Sequence, residues 1–237
     1  MLLEIPVFDI DGALIAAKAG AHRIELCASQ ADGGITPSQG MILKTKELLS
    51  IPFFVMIRPR GGNFVYTTEE ISIMLSDIEF CKTNGIKGIV TGVLRNDGTV
   101  DKTANKSLIN AAGNMQLTFH RAIDRALDPL QALEDIIDCG FHRILTSGQK
   151  ETAPEGAELI AELNKQAAGR IIIMPGSGVN ETNIAKLHQK SNCQEYHSSA
   201  KIKMNQSFAK PLPSDSNQTW TVSEVKIKKM LDVLKSC

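Results

Sequence analysis

The chain has 237 residues, 43% hydrophobic and 22% charged, which is enough to bury one large core and excludes disordered and fibrous classes. Its 26 Lys and Arg balance 26 Asp and Glu, so the net charge is zero and nothing argues for a nucleic-acid or membrane partner. No apolar run approaches the roughly 18 residues of a membrane span, and the start Met1-Leu2-Leu3-Glu4-Ile5 lacks a basic n-region, so a soluble, cytoplasmic protein is expected.

Short runs rich in Ile, Val and Phe begin near residues 2, 22, 52, 86, 115, 141, 170 and 194. Each is followed by a longer segment of helical spacing. Thr67-x-x-Glu70 has the form of a capping box ahead of Ile71, Met74 and Ile78, and Asp128-Pro129 supplies an N-cap and N1 pair ahead of Leu130 and Leu133. Ala19-Gly20, Asn84-Gly85 and Cys139-Gly140 sit where helices would close before the next strand. About eight βα units without a linker predict one domain over 1–237, a closed (β/α)8 TIM-like barrel. The competing open, doubly wound sheet would carry a glycine-rich turn after its first strand, and Glu4-Ile5-Pro6-Val7-Phe8 holds no glycine.

In a barrel the outward residues of each strand meet helices, so alternation assigns faces. Strand one turns Glu4 and Pro6 inward, strand two Arg23, Glu25 and Cys27, strand five Thr118 and His120, and strand eight Glu195 and His197. Arg58 ends strand three, followed by Pro59-Arg60-Gly61-Gly62. Strands four, six and seven are apolar runs whose facing stays open. The upper lumen is therefore expected to gather Glu4, Glu25, Cys27, Arg58, His120 and His197.

Two chemistries follow. Buried carboxylates and guanidinium can simply pair with one another. Alternatively, Glu4 or Glu25 serves as general base with His120 or His197 as acid partner, while Arg58 and Arg60 clamp a small anionic substrate; Thr118 and Arg121 belong to the same wall. The turns Thr146-Ser147-Gly148-Gln149 and Pro175-Gly176-Ser177-Gly178 offer backbone amides for phosphate, making Ser147, Gly148, Gly176, Gly178 and Ser198 further binding candidates. His22, His142 and His188 fall at strand starts or on a helix and read as structural. Cys81, Cys139, Cys193 and Cys237 read as inert, with no metal-type spacing. Cys27 alone is placed at the top rim, where a thiol is a nucleophile or a soft Cu(I) ligand.

Residues 201–237 carry seven Lys against Asp215, Glu224 and Asp232. An irregular segment, 201–222, holding the single tryptophan, Trp220, is expected to precede a terminal helix over 223–235, and is a candidate surface for a partner or a second copy.

Six motifs in order, Arg23-Ile24-Glu25-Leu26-Cys27, Gly33-Gly34-Ile35-Thr36-Pro37-Ser38, Ile57-Arg58-Pro59-Arg60-Gly61-Gly62, Thr118-Phe119-His120-Arg121-Ala122, Ile144-Leu145-Thr146-Ser147-Gly148 and His197-Ser198-Ser199, resemble the CutC family of copper homeostasis proteins. The resemblance runs from Leu3 to about Ala200. It implies a TIM-like barrel, a cytoplasmic location, a homodimer or larger homo-oligomer, and Cu(I) bound by two cysteines, one after the first-strand glutamate and one ending the strand-two motif. Cys27 matches the second; Pro6 stands at the first and cannot ligate a metal.

Overall fold

The computed structural model describes residues 1–205 and 218–237. Eight strands, β1 (Leu2–Val7), β2 (Arg23–Leu26), β3 (Phe53–Met56), β4 (Gly88–Thr91), β5 (Gln116–Phe119), β6 (Arg143–Thr146), β7 (Ile172–Pro175) and β8 (Glu195–His197), form one parallel sheet in the order β7-β6-β5-β4-β3-β2-β1-β8. Because β7 and β8 also pack together, the sheet curls into a nearly closed barrel, as the alternating pattern predicts. Helices α1 (Ile10–Lys18), α2 (Gln39–Leu48), α3 (Thr68–Thr83), α4 (Lys102–Ala112), α5 (Pro129–Cys139), α6 (Ala157–Ala167), α7 (Ile184–Ser191) and α8 (Glu224–Ser236) surround it. Among the described residues no helix is long and apolar enough to cross a membrane.

The local signals act as read. Thr67 and Glu70 bond each other's backbone N–H at the start of α3, Asp128 accepts from Leu130 and Gln131 N–H, and Ser223 caps α8. Outward strand residues, among them Leu3, Ile5, Ile24, Leu26, Val55, Ile89, Leu117, Phe119, Ile144 and Tyr196, join the helices in the main apolar core. The three undecided strands resolve the same way: Ile89, Ile144 and Ile173 face this core, while Val90, Arg143 and Met174 turn inward.

The stretch expected to be irregular is instead, at its two ends, an antiparallel ribbon. Strands β9 (Lys201–Asn205) and β10 (Gln218–Val222) pair with Trp220 opposite Lys203 and Val222 opposite Lys201. Alternation of charged and apolar residues along Lys201-Ile202-Lys203-Met204 is a strand pattern that lysine content masked.

Inside the barrel, two guanidiniums lie over the Phe54 ring, Arg23 at 4.8 Å and Arg143 at 5.1 Å from its centre. The ring occupies the side where a Gly88 side chain would stand: a Cβ there would meet it at 2.5 Å. Gly88→Ala should therefore displace Phe54 and destabilise the fold by about 1–3 kcal/mol, the usual penalty of overpacking. Urea unfolding measures this, and an unchanged midpoint would contradict the packing described.

Candidate active site in the barrel mouth

Alternation along β1, β2, β6 and β8 delivers three glutamates, two arginines and a histidine into one lumen. Arg23 Nε donates to Glu4 Oε2, and Arg23 Nη2 donates to Glu195 Oε2 at 2.6 Å. Arg143 Nε donates to the same Glu195 oxygen at 3.0 Å. Thr118 Oγ1 lies 3.5 Å from Arg143 Nη1, so it belongs to this lower layer and not to the mouth. Guanidiniums with several donors are the groups able to hold two buried carboxylates at once.

Glu25 and His197 sit above this layer. Glu4 Oε1 is 2.8 Å from His197 Nδ1, while His197 Nε2 is 4.0 Å from Glu25 Oε2. Burial pushes the Glu4 carboxyl up, but Arg23 and His197 more than reverse this and hold it at about 2. An ionised Glu4 only accepts, so Nδ1 carries hydrogen and Nε2 is the His197 atom left toward Glu25. Arg23 and Arg143 neutralise two of the three carboxylates. The third, Glu25, has no guanidinium of its own, and the imidazole of His197 is the group beside it that can carry a balancing charge. Burial opposes that charge, yet Glu25 and Glu4 raise the imidazole above its usual 6.5; burial, with Glu4 nearby, likewise raises Glu25.

A cavity of about 290 Å³ opens above Glu25 and His197, bounded also by Met56, Phe64, His120, Arg121 and Lys201. Three buried polar atoms of its lining residues, Glu25 Oε1, Arg58 Nε and His120 Nε2, have no protein partner among the described residues. Ala122 N–H donates to His120 Nδ1 at 3.3 Å, which fixes the ring's remaining proton on Nε2. Burial, with Arg58 nearby, lowers His120 to about 3, so it stays a neutral donor. A second groove, about 350 Å³ between α6 and α7, borders none of the unpartnered buried atoms among the described residues.

Several expected binding residues are committed elsewhere. Arg58 does not pair with Glu4 or Glu25; its terminal nitrogens donate to the carbonyls of Asp32, Gly34 and Gly62 at 2.6, 2.8 and 2.9 Å, pinning the loops after β2 and β3. Arg60 holds Glu70 and the Val65 carbonyl outside the mouth. Ser147 and Thr146 bond Asp124, and Arg121 donates to both Asp124 and Ser147. The amides of Gly148 and Gly176 donate to Thr146, and Ser198 Oγ donates to the Val179 carbonyl. A Cβ at Gly148 would lie 2.3 Å from the Gly156 carbonyl oxygen, so that glycine serves a close backbone approach rather than an open anion cradle. Gly178 alone of these glycines lines the mouth. Glu4, both of whose oxygens are used, positions His197 instead of facing the cavity.

Residues 1–202 match the CutC family. A Xylella fastidiosa (strain Temecula1) CutC family protein is 47% identical over 199 residues, 84% of this chain and 74% of that one. The human copper homeostasis protein cutC homolog is 44% identical over 200 residues, 84% and 73% of the two chains. The crystal structure of the Streptococcus agalactiae CutC protein superposes with a TM-score of 0.81 at 33% identity, covering 84% of this chain and 98% of that one. The chain belongs to the CutC family. Phosphoribosylanthranilate isomerases of Thermotoga maritima and Pyrococcus furiosus, at 11% and 12% identity and TM-scores of 0.61 and 0.60, share the barrel fold alone.

The copper implied by the family's name meets a poor donor set here. The Cys27 thiol donates to Glu25 Oε2 at 3.4 Å, and burial and that carboxylate push its pKa well up. Pro6 lies beside Glu25 in the β1–β2 register, where a second thiolate would be needed. These residues do not fit a two-thiolate Cu(I) centre.

The ionic layer sets the pH response. Glu4 falls from an ordinary 4.5 to about 2 on folding, so its stabilisation is present above 4.5 and is lost as pH drops from 4.5 toward 2. His197 is shifted upward, so its contribution is present below 6.5 and is lost as pH rises through the raised value. Glu4→Gln should flatten the acid limb of urea stability against pH, and His197→Gln the alkaline limb. Arg23→Met, which strands two carboxylates, should cost about 3–5 kcal/mol at neutral pH; variants with wild-type pH profiles would contradict these assignments.

Proposed function

We propose that the barrel mouth is the active site of an enzyme that moves a proton on a small polar substrate. The observation that carries this is the set of buried, unpartnered atoms on residues that line one cavity, a carboxylate oxygen, Glu25 Oε1, and an imidazole nitrogen, His120 Nε2, with the Arg58 Nε–H as a third. Such atoms cost roughly 1–3 kcal/mol each unless a ligand or water satisfies them, and a carboxylate facing a neutral donor suits a substrate with an acidic hydrogen near an oxygen.

In this reading Glu25 takes the proton, and His120 Nε2–H donates a hydrogen bond to the substrate oxygen on which charge develops. His197 returns a proton from Nε2, its ring held by the Glu4 carboxylate on Nδ1. A neutral imidazole is a useful donor because it supplies a hydrogen without adding a competing charge to the lumen. Cys27 keeps Glu25 Oε2 occupied and leaves Oε1 as the reactive oxygen.

A second reading, Cu(I) binding by Cys27, draws on the human relative's name and on one contact. The Cys27 Sγ and the Met56 methyl lie 3.2 and 3.6 Å from the same point beside Gly34, so a thiol and a thioether are neighbours. Its test is Cu(I) uptake that Cys27→Ser abolishes.

The enzyme reading is tested by incubating the protein in D2O with a panel of small hydroxy and oxo compounds, some bearing carboxylate or phosphate, and following deuterium incorporation by NMR. Wild type should exchange hydrogen in at least one compound, and Glu25→Gln should slow that exchange by about 10²–10⁴. No exchange across the panel, or equal exchange by Glu25→Gln, overturns it.

A further inference from the structure

The rim of the mouth contains a cation that no barrel strand supplies. After β8 the chain turns sharply: Ser198 N–H donates to the Glu4 carbonyl at 3.1 Å, and Ala200 N–H donates to Ser198 Oγ at 3.2 Å. Ala200 itself adopts φ of +44°, a left-handed conformation that costs energy for a residue with a Cβ. The Ala200 carbonyl accepts from Ser223 N–H at 3.0 Å, tying the turn to the cap of α8. The next residue out of this locked turn is Lys201, the first of β9.

Lys201 Nζ lies 4.6 Å from the centre of the Trp220 ring, and Lys203 Nζ lies 5.6 Å from it. An ammonium over an indole face keeps its full charge and leaves N–H groups turned away from the ring. Lys201 lines the mouth cavity together with Glu25 and His197. It also lines a smaller adjoining cleft between the ribbon and Phe8, Asp9 and Gly12, whose other wall includes Trp220. The two spaces share Pro6, Phe8, Gln30 and Ser199 as well, so they adjoin along these residues.

Of the other cations of the mouth, Arg121 is held by Asp124 and Ser147, and the terminal nitrogens of Arg58 are held by three carbonyls, which leaves its buried Nε–H as the one nitrogen of that guanidinium facing no partner among the described residues. Lys201 has no carboxylate within ion-pair distance among the described residues. The lumen below is already balanced when His197 carries its proton, which leaves the rim with a positive charge that a neutral ligand would not use.

We propose that Lys201, seated on Trp220, binds an oxyanion of the substrate, a carboxylate or a phosphate, while the reacting end enters toward Glu25 and His120. This rests on the enzyme reading above and names its substrate class: a small oxyanion-bearing molecule held in the mouth. The ribbon is then a specificity element joined to the barrel, and Lys203, which lines neither space, has no part in binding.

Trp220 is the only tryptophan, so its fluorescence reports on this rim without background. Wild type, Lys201→Met, Lys203→Met and Glu25→Gln are titrated separately with inorganic phosphate and with acetate, at constant ionic strength set by chloride. Wild type should give a saturable change with at least one of the two, and whichever binds tighter identifies the oxyanion. Lys201→Met should weaken the apparent affinity at least tenfold, whereas Lys203→Met and Glu25→Gln should titrate as wild type. A response no different from chloride, or equal affinity in Lys201→Met, overturns the proposal. Saturable, Lys201-dependent binding without deuterium exchange would leave the oxyanion subsite standing and remove the proton-transfer reading alone.

Discussion

A parallel barrel is stable only when its lumen is filled, and here much of the filling is ionic. Two guanidiniums and three carboxylates, stripped of water, each carry a desolvation cost of several kcal/mol that only multiple short hydrogen bonds offset. Arg23 therefore bridges Glu4 and Glu195, Arg143 donates to the same Glu195 oxygen, and both guanidiniums stack on the Phe54 ring. The arrangement leaves one carboxylate, Glu25, without a guanidinium of its own. The group that can match it is His197 when protonated, and a proton is the one counter-charge that can be moved. A structural solution to burying charge thus places a mobile proton at the floor of the cavity.

Around that floor the protein divides its polar groups into those it uses and those it leaves unused. Arg58, Arg60, Ser147 and Ser198 organise loops whose irregular backbone would otherwise hold carbonyls without partners. Glu4 fixes the tautomer of His197, and Ala122 fixes that of His120. Glu25 Oε1, His120 Nε2 and the Nε–H of Arg58 are what remains. The hard and charged character of this set is closer to proton transfer than to a soft metal centre, and Pro6 and the protonated Cys27 thiol point the same way.

Much of this was legible in the amino-acid order because strand alternation is binary: Ile24 and Leu26 facing helices force Glu25 and Cys27 inward, and Leu117 and Phe119 do the same for His120. Where alternation was silent, residues were missed. Arg143-Ile144-Leu145-Thr146 gives no clear apolar face, so the second guanidinium of the lumen went unassigned. Arg58 was placed correctly at the end of β3, but its role depends on which carbonyls the distant loops at Asp32, Gly34 and Gly62 bring near, a tertiary fact no local pattern contains. Gly148 and Gly176 carry the composition of a phosphate loop, yet their amides are consumed by Thr146. Lys201 was hidden by its setting in a lysine-rich stretch whose composition reads as an irregular segment beyond the barrel.

The central claim is that His197, bonded to Glu4 and facing Glu25, is held charged above the ordinary imidazole range while His120 stays neutral with hydrogen on Nε2. Long-range ¹H–¹⁵N NMR of histidine-labelled protein, recorded across a pH titration, reads both states directly. The account predicts that His197 remains doubly protonated above the ordinary imidazole value of 6.5 and that His120 shows the Nε2–H tautomer without titrating near that pH. A His120 that titrates near 6.5 or carries its proton on Nδ1, or a His197 that loses its charge below 6.5, would contradict it.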